Sequence, residues 1–351
     1  MEAMTTRRQL GPGGPHVAPL ALGTMTFGAE TDEAEAHRQL DVFVERGGNL
    51  IDTADVYNDG VSEEFIGRWL GKRSSRDDVI VATKGRFRPP AGSPGASRRS
   101  LVQAVDGSLQ RLGVDHLDVY FVHGWDPDTP IEETLDTLAA LVRQGKIHNL
   151  GWSNTTGWQL QRIMATAKLG GFVRPIVFQP QYNLLDRSIE WEVLPCCLEE
   201  DLGITPWSPL GGGWLTGKYQ RDTAPTGPTR LGDDPTRGVE AYAKRNVERT
   251  WEIIDVANRI AAGHQRPIHE VALAWLATRP GVSSILLGAR TVEQLEANLN
   301  AATLVLSDEE ADELTAVSAP GVPPYPYGMV EEYCGVTHWQ ELRTRPPVAE
   351  A

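Results

Sequence analysis

Eight short apolar runs recur along the chain, and each is bounded by turn-forming residues. They are Leu20–Leu22, Asn49–Asp52, Val79–Lys84, Leu117–His123, Ile147–Ser153, Val173–Gln179, Gly203–Ser208 and Ser283–Gly288. The runs are rich in β-branched and aromatic residues and do not alternate apolar with polar positions, which is typical of strands buried on both faces of a parallel sheet. We therefore predict eight parallel strands from this pattern.

The segments between these runs have helical spacing. Their apolar stripes include Ile131, Leu135, Leu138 and Val142 in one gap and Val292, Leu295 and Leu299 in another. Each gap can thus supply a helix that packs one apolar face on the sheet. Such units predict an α/β protein with a (β/α)8 TIM barrel as a single domain over residues 1–351, although 351 residues also suit two domains. Gly11–Pro15 and Val17, before the first strand, predict a small N-terminal β-hairpin that closes one end of the barrel.

Three segments rich in Pro and Gly carry no helical period and are predicted to be loops. They are Arg86–Ser97, Tyr219–Gly238 and Ala319–Gly328. The first two follow the third and seventh strands, which places them at the C-terminal mouth of the barrel, where barrel enzymes build their substrate pockets. The third opens a C-terminal tail, approximately residues 319–351, which we expect to pack near the same mouth.

The net charge of the chain argues against some classes of binding partner. The sequence sets 33 Lys and Arg residues against 47 Asp and Glu residues, a formal net charge of −14, so nucleic acid and anionic membranes would repel it on average. No run reaches the roughly 18 apolar residues needed to cross a bilayer, and no signal-peptide pattern opens the sequence. We expect a cytoplasmic protein that binds neither nucleic acid nor membrane.

The spacing of cysteine and histidine does not predict a metal site. Cys196 and Cys197 are adjacent, which is poor geometry for a mutual disulfide, so we expect free thiols. The sequence has none of the spaced Cys/His sets that are typical of zinc. His264 and His269 lie five positions apart, unlike the four of a zinc-binding helix motif, and we interpret both as surface residues.

Side chains capable of chemistry stand at or just past the ends of the predicted strands. They are Asp52, Lys84, His123, Asn154, Gln179 and Trp207. Each one taken alone has an ordinary structural interpretation, such as a solvated lysine or a histidine satisfied in the core. Because the carboxyl ends of the strands of one barrel meet at a single rim, their coincidence predicts a shared ligand site.

A tyrosine above this rim suggests acid catalysis. Tyr57 lies five residues after Asp52 and can point over the barrel. A nearby ammonium, for which Lys84 is the obvious source, would stabilise the phenolate and lower the pKa of the phenol. Asp52 would pair with the buried ammonium, and His123 would hydrogen-bond a substrate oxygen. We predict a proton donor held beside an oxygen that becomes an alkoxide.

The electron pair that forms this alkoxide must have a source, and the sequence has neither a nucleophilic Cys/His pair nor a G-x-S-x-G motif. We therefore predict a hydride cofactor. The Rossmann glycine fingerprint is also missing, because His16 stands where the last glycine of the Gly11 segment would be. Gly212–Lys218 matches the spacing of a Walker A motif, but Tyr219 replaces the required Ser or Thr, and we reject an ATPase. The glycine-rich segment remains a predicted phosphate-binding loop.

A second phosphate-binding position follows the eighth strand. Gly288–Arg290 leads into a helix that begins near Thr291, so Arg290 and the helix amides would face an anion together. A guanidinium there suits a ribose 2′-phosphate and favours NADP over NAD. Alternatively, Thr291 and Gln294 form a capping box and Arg290 is merely exposed. The two interpretations are compatible.

From Leu20 to about Leu299 the chain resembles the aldo-keto reductase family, in the branch of bacterial members and potassium-channel β-subunits. The segments IDTADVY, VIVATKG and LDVYFVHGWD contain Asp52, Tyr57, Lys84 and His123 in the order, spacing and context of the family's catalytic tetrad. The resemblance implies that Tyr57 is the general acid. It further implies that Lys84 and Asp52 tune Tyr57, and that His123 orients the carbonyl.

The resemblance also implies NADPH or NADP+ as cofactor, held by residues at the strand ends and in the loops that follow them. These are Gly23, Thr24 and Met25 under the cofactor, Ser153, Asn154 and Gln179 at the carboxamide, Trp207 stacked on the nicotinamide, Ser208, Leu210, Gly212, Leu215 and Lys218 at the pyrophosphate, and Gly288, Arg290, Gln294 and Asn298 at the adenosine 2′-phosphate, with Asp52 also in contact.

The expected activity is therefore NADPH-dependent reduction of a small aldehyde or ketone to an alcohol. Two alternatives remain open from the sequence. One is a keto-sugar-nucleotide reductase of deoxysugar biosynthesis, and the other is a cofactor-binding regulatory protein like the β-subunits. The loops expected to choose the substrate, Arg86–Ser97, Trp125–Thr129 and Tyr219–Gly238, match no pattern that identifies it.

Overall fold

The structure is a computed structural model that describes residues 2–72, 76–227, 229–234, 236 and 238–334. Residues 335–351 of the predicted tail lie outside the described residues. The strands are β1 Arg8–Gln9, β2 His16–Val17, β3 Leu20–Gly23, β4 Leu50–Asp52, β5 Ile80–Gly85, β6 Leu117–Val122, β7 Ile147–Ser153, β8 Val177–Gln179, β9 Gly203–Ile204 and β10 Ile285–Gly288.

Eight of these strands, β3 to β10, form one parallel sheet in the order β10-β3-β4-β5-β6-β7-β8-β9. Its two outer strands also meet. The amide of Ser283 donates to the carbonyl of Ile204 at 2.9 Å, and the amide of Leu286 donates to the carbonyl of Pro206 at 3.0 Å. These bonds close the sheet on itself, and the predicted (β/α)8 barrel is confirmed.

Helices surround the barrel. They are α1 Glu2–Thr5, α2 Glu33–Glu45, α3 Val61–Leu70, α4 Arg98–Leu112, α5 Ile131–Arg143, α6 Gly157–Gly170, α7 Val193–Glu199, α8 Arg230–Asp233, α9 Tyr242–Arg245, α10 Glu248–His264, α11 Ile268–Ala277, α12 Val292–Leu299, α13 Asp308–Val317 and α14 Met329–Cys334. The predicted apolar stripes face inward, since Leu135 and Leu138 of α5 and Leu295 and Leu299 of α12 are buried. In the described part of the chain, no helix combines the length and apolar character that a membrane crossing requires.

Apolar side chains of several strands form a buried cluster inside the barrel. Ala21, Ala82, Val119, Phe121 and Val177 belong to one buried cluster, which Leu10 and Val17 of the N-terminal hairpin also join. β1 and β2 pair antiparallel, with Arg8 opposite Val17. A Cβ on Gly203 would lie 1.5 Å from the carbonyl oxygen of Leu10, so the hairpin sits directly on β9. The predicted closure of this end of the barrel is confirmed.

Two predicted strands are shorter by four residues in the structure, whereas the bounds of the others differ from the prediction by at most two residues. β8 starts at Val177 rather than Val173, and β9 ends at Ile204 rather than Ser208. Proline explains both differences, because Pro175 and Pro206 have no amide hydrogen for a ladder bond.

Two of the predicted loops also contain short regular segments. Residues 86–97 are irregular as predicted, but Tyr219–Gly238 includes the one-turn helix α8, and Ala319–Gly328 ends in a π-helical turn over Pro324–Gly328. Near the end of the described chain, the Tyr327 hydroxyl donates to Glu192 at 2.8 Å. The three cysteines are free thiols, as expected.

Candidate active site

A cavity of about 640 Å³ opens where the carboxyl ends of the strands converge. Its wall contains nearly all the residues that the sequence placed in a shared site. They are Gly23, Thr24, Met25, Asp52, Tyr57, His123, Ser153, Asn154, Gln179, Trp207, Ser208, Leu210, Gly212, Lys218, Gly288, Arg290, Gln294 and Asn298. Two predicted site residues are not in this wall. Lys84 is fully buried behind Tyr57, and the side chain of Leu215 packs in the hydrophobic core.

Lys84 organises one end of the cavity. Its Nζ donates to Asp52 Oδ1 at 2.5 Å, to the carbonyl oxygen of Thr53 at 2.7 Å and to the Tyr57 hydroxyl at 3.1 Å. The second carboxylate oxygen of Asp52 accepts a hydrogen bond from Gln179 Nε2 at 2.8 Å. All three ammonium hydrogens can therefore be used. The side chain of Lys84 is 0 % exposed and that of Asp52 is 3 % exposed, so this ion pair is buried away from the surface.

Burial controls the acidity of Tyr57. It raises the pKa of the phenol and outweighs the opposite effect of the Lys84 ammonium, while the Asp52 carboxylate adds to the increase. The prediction that Lys84 lowers the pKa holds only for that one interaction, because a phenolate here would lose its water and face a carboxylate. For Lys84 itself, burial opposes the charge, but Asp52 and Tyr57 outweigh it and raise the pKa of the amine. The group beside the phenol is therefore a cation, and the phenol is protonated at neutral pH.

His123 is a neutral imidazole. Burial, together with the positive charges of Lys84 and Arg86, lowers its pKa to about 2. Its ring lies 6.1 Å from that of Tyr57 and 4.7 Å from that of Phe87 between centroids. Its buried Nδ1 has no hydrogen-bond partner among the described residues. The ring can thus serve as a hydrogen-bonding group beside the phenol without carrying charge.

The neighbouring wall holds polar groups in fixed positions. Ser153 Oγ donates to the carbonyl of Gln179 at 2.7 Å, and Asn154 Nδ2 donates to the carbonyl of His123 at 2.9 Å. Trp207 is anchored by its amide, which donates to the carbonyl of Pro180 at 2.9 Å. Its indole Nε1 is buried without a partner among the described residues. Such an orphaned donor marks a position at which a bound molecule can supply an acceptor.

The glycine-rich segment forms a backbone cradle. Gly211, Gly212 and Gly213 all have positive φ, at 56°, 66° and 96°. A Cβ on Gly212 would lie 2.3 Å from Glu240 Oε2, and a Cβ on Gly213 would lie 2.5 Å from Lys218 Nζ. The positive φ values favour glycine at these positions, and the bare backbone of such a turn can approach an anion closely.

Another part of the cavity wall is built around the start of α12. Thr291 caps the helix by accepting the amide of Gln294 at 3.4 Å, and the Gln294 side chain accepts the amide of Arg290 at 2.9 Å. Arg290 also reaches Glu30 at 3.5 Å and lines the cavity. Thr291 therefore caps the helix while Arg290 faces the cavity, so both interpretations of this segment hold. The capping box is modified, because the Gln294 side chain accepts the amide of Arg290 rather than the amide of Thr291.

Sequence reasoning missed some of the cavity wall. His269, interpreted as a surface residue, lines the cavity together with Thr216 and Thr229. His269 lies in the first turn of α11 and contacts the carbonyl of Ala297 at 3.4 Å. A signal was available, because α11 leads directly to the amino end of β10 and so must begin at the mouth of the barrel.

One group of metal-ligating side chains occurs in the described residues, away from this cavity. His116, Asp118 and His148 lie around the amino-terminal ends of β6 and β7, with one ligand atom each within 4.8 Å of the others. Asp118 is already paired with Arg76 at 2.5 Å, and the two imidazoles stack at 4.2 Å. The expectation that the chain holds no metal stays a prediction.

Comparison with known proteins agrees with the geometry. A model described as the aldo/keto reductase family matches residues 19–319. The chain is 34% identical over 327 residues to the NADP(+) aryl-alcohol dehydrogenase of Phanerodontia chrysosporium, covering 86% of this chain and 83% of that protein. It is 34% identical to protein tas of Escherichia coli, covering 86% and 94%, and 32% identical to norsolorinic acid reductase of Aspergillus flavus, covering 94% and 84%.

Proposed function

The chain belongs to the aldo/keto reductase family, and from that premise we propose that it is an NADPH-dependent reductase that converts an aldehyde or ketone to an alcohol. The observation that carries the proposal is the arrangement around Lys84. A fully buried ammonium lies 3.1 Å from the hydroxyl of a tyrosine that lines the cavity. Such a pair suits proton transfer to an oxygen that gains negative charge.

The described residues fit a dinucleotide. The cavity wall includes both Tyr57 and Arg290, and it offers the donor of Trp207 and the backbone cradle at Gly212. We assign the nicotinamide to the Trp207 end, the pyrophosphate to the Gly212 and Lys218 region, and the 2′-phosphate to Arg290. Bound NADPH supplies the hydride for the reaction.

The chain's own residues manage the proton. Tyr57 donates its hydroxyl proton to the carbonyl oxygen of the substrate as that oxygen gains charge. Lys84 stabilises the phenolate that remains, because its ammonium is held beside the Tyr57 oxygen by Asp52. The neutral imidazole of His123 hydrogen-bonds the same substrate oxygen and fixes its direction. A protonated imidazole would compete with Tyr57 as the acid, which the low pKa of His123 prevents.

Replacement of Tyr57 by Phe tests the acid. We expect kcat to fall by about 10²- to 10⁴-fold, the usual contribution of a positioned general acid. The dissociation constant of NADPH, measured by fluorescence, should stay within about twofold because the hydroxyl is not needed for binding. Tyr333→Phe is the control, since that side chain is 72% exposed. Near-wild-type turnover by Tyr57→Phe would show that the acid is a different group.

Replacement of Arg290 by Ala tests the cofactor preference. A hydrogen bond to a charged group contributes about 1.5–3 kcal/mol, so NADPH should bind about ten- to a hundredfold more weakly. NADH, which lacks the 2′-phosphate, should lose little. Arg259→Ala is the matched control, because that arginine is exposed and pairs with Glu313 on the helical surface. Equal losses for both cofactors would contradict the assignment of the 2′-phosphate.

We further propose that the carbonyl is attached to an aromatic group. Phe87 is 44% exposed beside His123, and Met25 is 39% exposed in the cavity wall, so the mouth offers apolar surface to a flat substrate. One relative is named an aryl-alcohol dehydrogenase, which supports this choice. Turnover of benzaldehyde should exceed that of cyclohexanecarbaldehyde, and higher turnover of a keto-sugar nucleotide than of either would favour the sugar-nucleotide alternative.

A further inference from the structure

The chain adopts an unusual conformation directly after Tyr57. Asn58, Asp59 and Gly60 follow one another with φ of 47°, 57° and 93°. Side chains disfavour this left-handed region, and Asn and Asp enter it more readily than other residues with a Cβ. Three successive left-handed residues turn the backbone sharply between Tyr57 and the first residue of α3. Such a conformation persists only when surrounding contacts hold it.

The side chain of Asn58 supplies such contacts. Its Nδ2 donates to the carbonyl of Phe27 at 2.6 Å and to that of Met25 at 3.2 Å. Both carbonyls belong to the loop between β3 and α2, and an amide NH₂ has one hydrogen for each. A Cβ on Gly28 of that loop would lie 3.5 Å from the Cβ of Asn58. The turn after Tyr57 is thus fastened to the neighbouring loop at close range.

The loop that receives these bonds is anchored independently at its other side. Thr26 Oγ1 donates to the carbonyl of Ala289 at 2.9 Å, and Thr31 Oγ1 donates to that of Arg290 at 3.2 Å. The loop is therefore a fixed support for Asn58, because it does not depend on Asn58 for its position against β10 and α12. Loss of the Asn58 bonds should release the Tyr57 turn and leave the Arg290 end in place.

We propose that Asn58 is a positioning residue for Tyr57, whose two side-chain hydrogen bonds hold the phenol at hydrogen-bond distance from Lys84. The backbone of Tyr57 makes turn bonds within its own segment, from its amide to the carbonyl of Ala54 at 3.1 Å and from the Val61 amide to its carbonyl, but neither ties it to another loop. The hydroxyl oxygen of Tyr57 lies 3.1 Å from Lys84 Nζ, and this distance depends on where the turn places the ring. A shift of about 1 Å in the turn would move the donor out of reach of a reacting oxygen. The effect on turnover rests on the proposed function.

Two substitutions remove the hydrogen bonds without forbidding the backbone conformation. Asn58→Asp keeps the shape of the side chain, but its oxygens cannot donate to carbonyls, and Asn58→Gly adopts positive φ freely. The control is Asp59→Gly. Asp59 is also left-handed, yet its side chain is 90% exposed and its carboxylate lies 3.6 Å from the guanidinium of Arg88. We expect both Asn58 variants to lower kcat at least about tenfold with NADPH affinity within about twofold, and the control to change neither.

A second measurement does not depend on turnover. In protein labelled with 3-fluorotyrosine, the ¹⁹F signal of Tyr57 is assigned by its loss in Tyr57→Phe. The signal should shift or broaden in both Asn58 variants and stay unchanged in Asp59→Gly. If the wild type reduces no carbonyl compound but the signal moves in this pattern, the proposed function fails and the positioning role stands.

Two results would overturn the role of Asn58. In one, both Asn58 variants keep the wild-type kcat and ¹⁹F signal, which would make Asn58 a turn residue only. In the other, kcat, NADPH affinity and melting temperature fall together, which would indicate general loss of the fold. Retention of kcat by Asn58→Asp alone would also contradict the proposal, because that variant has no donor to offer.

Discussion

Removing Lys84 should destabilise the fold in addition to impairing catalysis. Asp52 is 3 % exposed and accepts a hydrogen bond from Gln179, so in Lys84→Met we expect it to remain buried without an opposite charge. Removing one partner of a buried ion pair costs about 3–5 kcal/mol. An unfolding entropy of about 2.1 cal/mol/K per residue gives about 0.7 kcal/mol/K for a chain of this length, so Tm should fall by about 4–7 °C.

The loss of stability in Lys84→Met should depend on pH. Burial already raises the pKa of Asp52 in the native protein, and without Lys84 nothing of opposite charge compensates. A carboxyl whose folded pKa exceeds its unfolded value of about 3.9 favours folding in its protonated form. That stability is fully present below the unfolded pKa and is lost as the pH rises through the folded pKa. The deficit of Lys84→Met relative to the wild type should therefore be smaller at pH 5 than at pH 8.

Denaturant and thermal unfolding at the two pH values measure this prediction. The double variant with Asp52→Asn should recover part of the loss, because the amide needs no counter-charge. Lys146→Met is the matched control, since Lys146 pairs with Asp106 at 2.7 Å on the surface with 32% and 51% of the side chains exposed, and exposed pairs contribute at most about 1 kcal/mol. The reasoning is refuted if Lys84→Met unfolds like the wild type, or loses equal stability at pH 5 and pH 8.

Two further predictions concern the hairpin and His123. Gly203→Ala should lower Tm, because its Cβ would lie 1.5 Å from the Leu10 oxygen and displace the hairpin, whereas Gly263→Ala in α10, where nothing lies within 4 Å, should raise stability by about 0.5–1 kcal/mol. Equal Tm values for the two variants would contradict this. Since burial lowers the pKa of His123 to about 2, its NMR signal should not titrate between pH 5 and pH 9. A midpoint near pH 6.5 would show that the ring is open to water.

The sequence by itself was sufficient for the architecture and for much of the site. The apolar runs and helical stripes depend on local periodicity, which the chain displays directly. The sequence predicted that Asp52, Lys84 and His123 lie close together, because parallel strands of one barrel end at the same rim. Membership of one parallel barrel is enough to place these side chains at the same rim. The glycine-rich segment around Gly212 could also be recognised from the sequence as a candidate anion-binding loop, since a run of residues without Cβ has few structural uses.

The tertiary structure decided what depends on distance between remote segments. The pKa of Tyr57 rises because burial of its hydroxyl and the Asp52 carboxylate together outweigh the Lys84 ammonium, whereas the sequence alone pointed only to the ammonium. His269 reaches the cavity, and Leu215 leaves it, because of how whole helices pack on the barrel. The bonds of Asn58 to Met25 and Phe27 join segments about thirty residues apart. Local pattern fixes which residues share a face or an edge, whereas burial and hydrogen-bond partners are set by contacts between elements, which no single segment encodes.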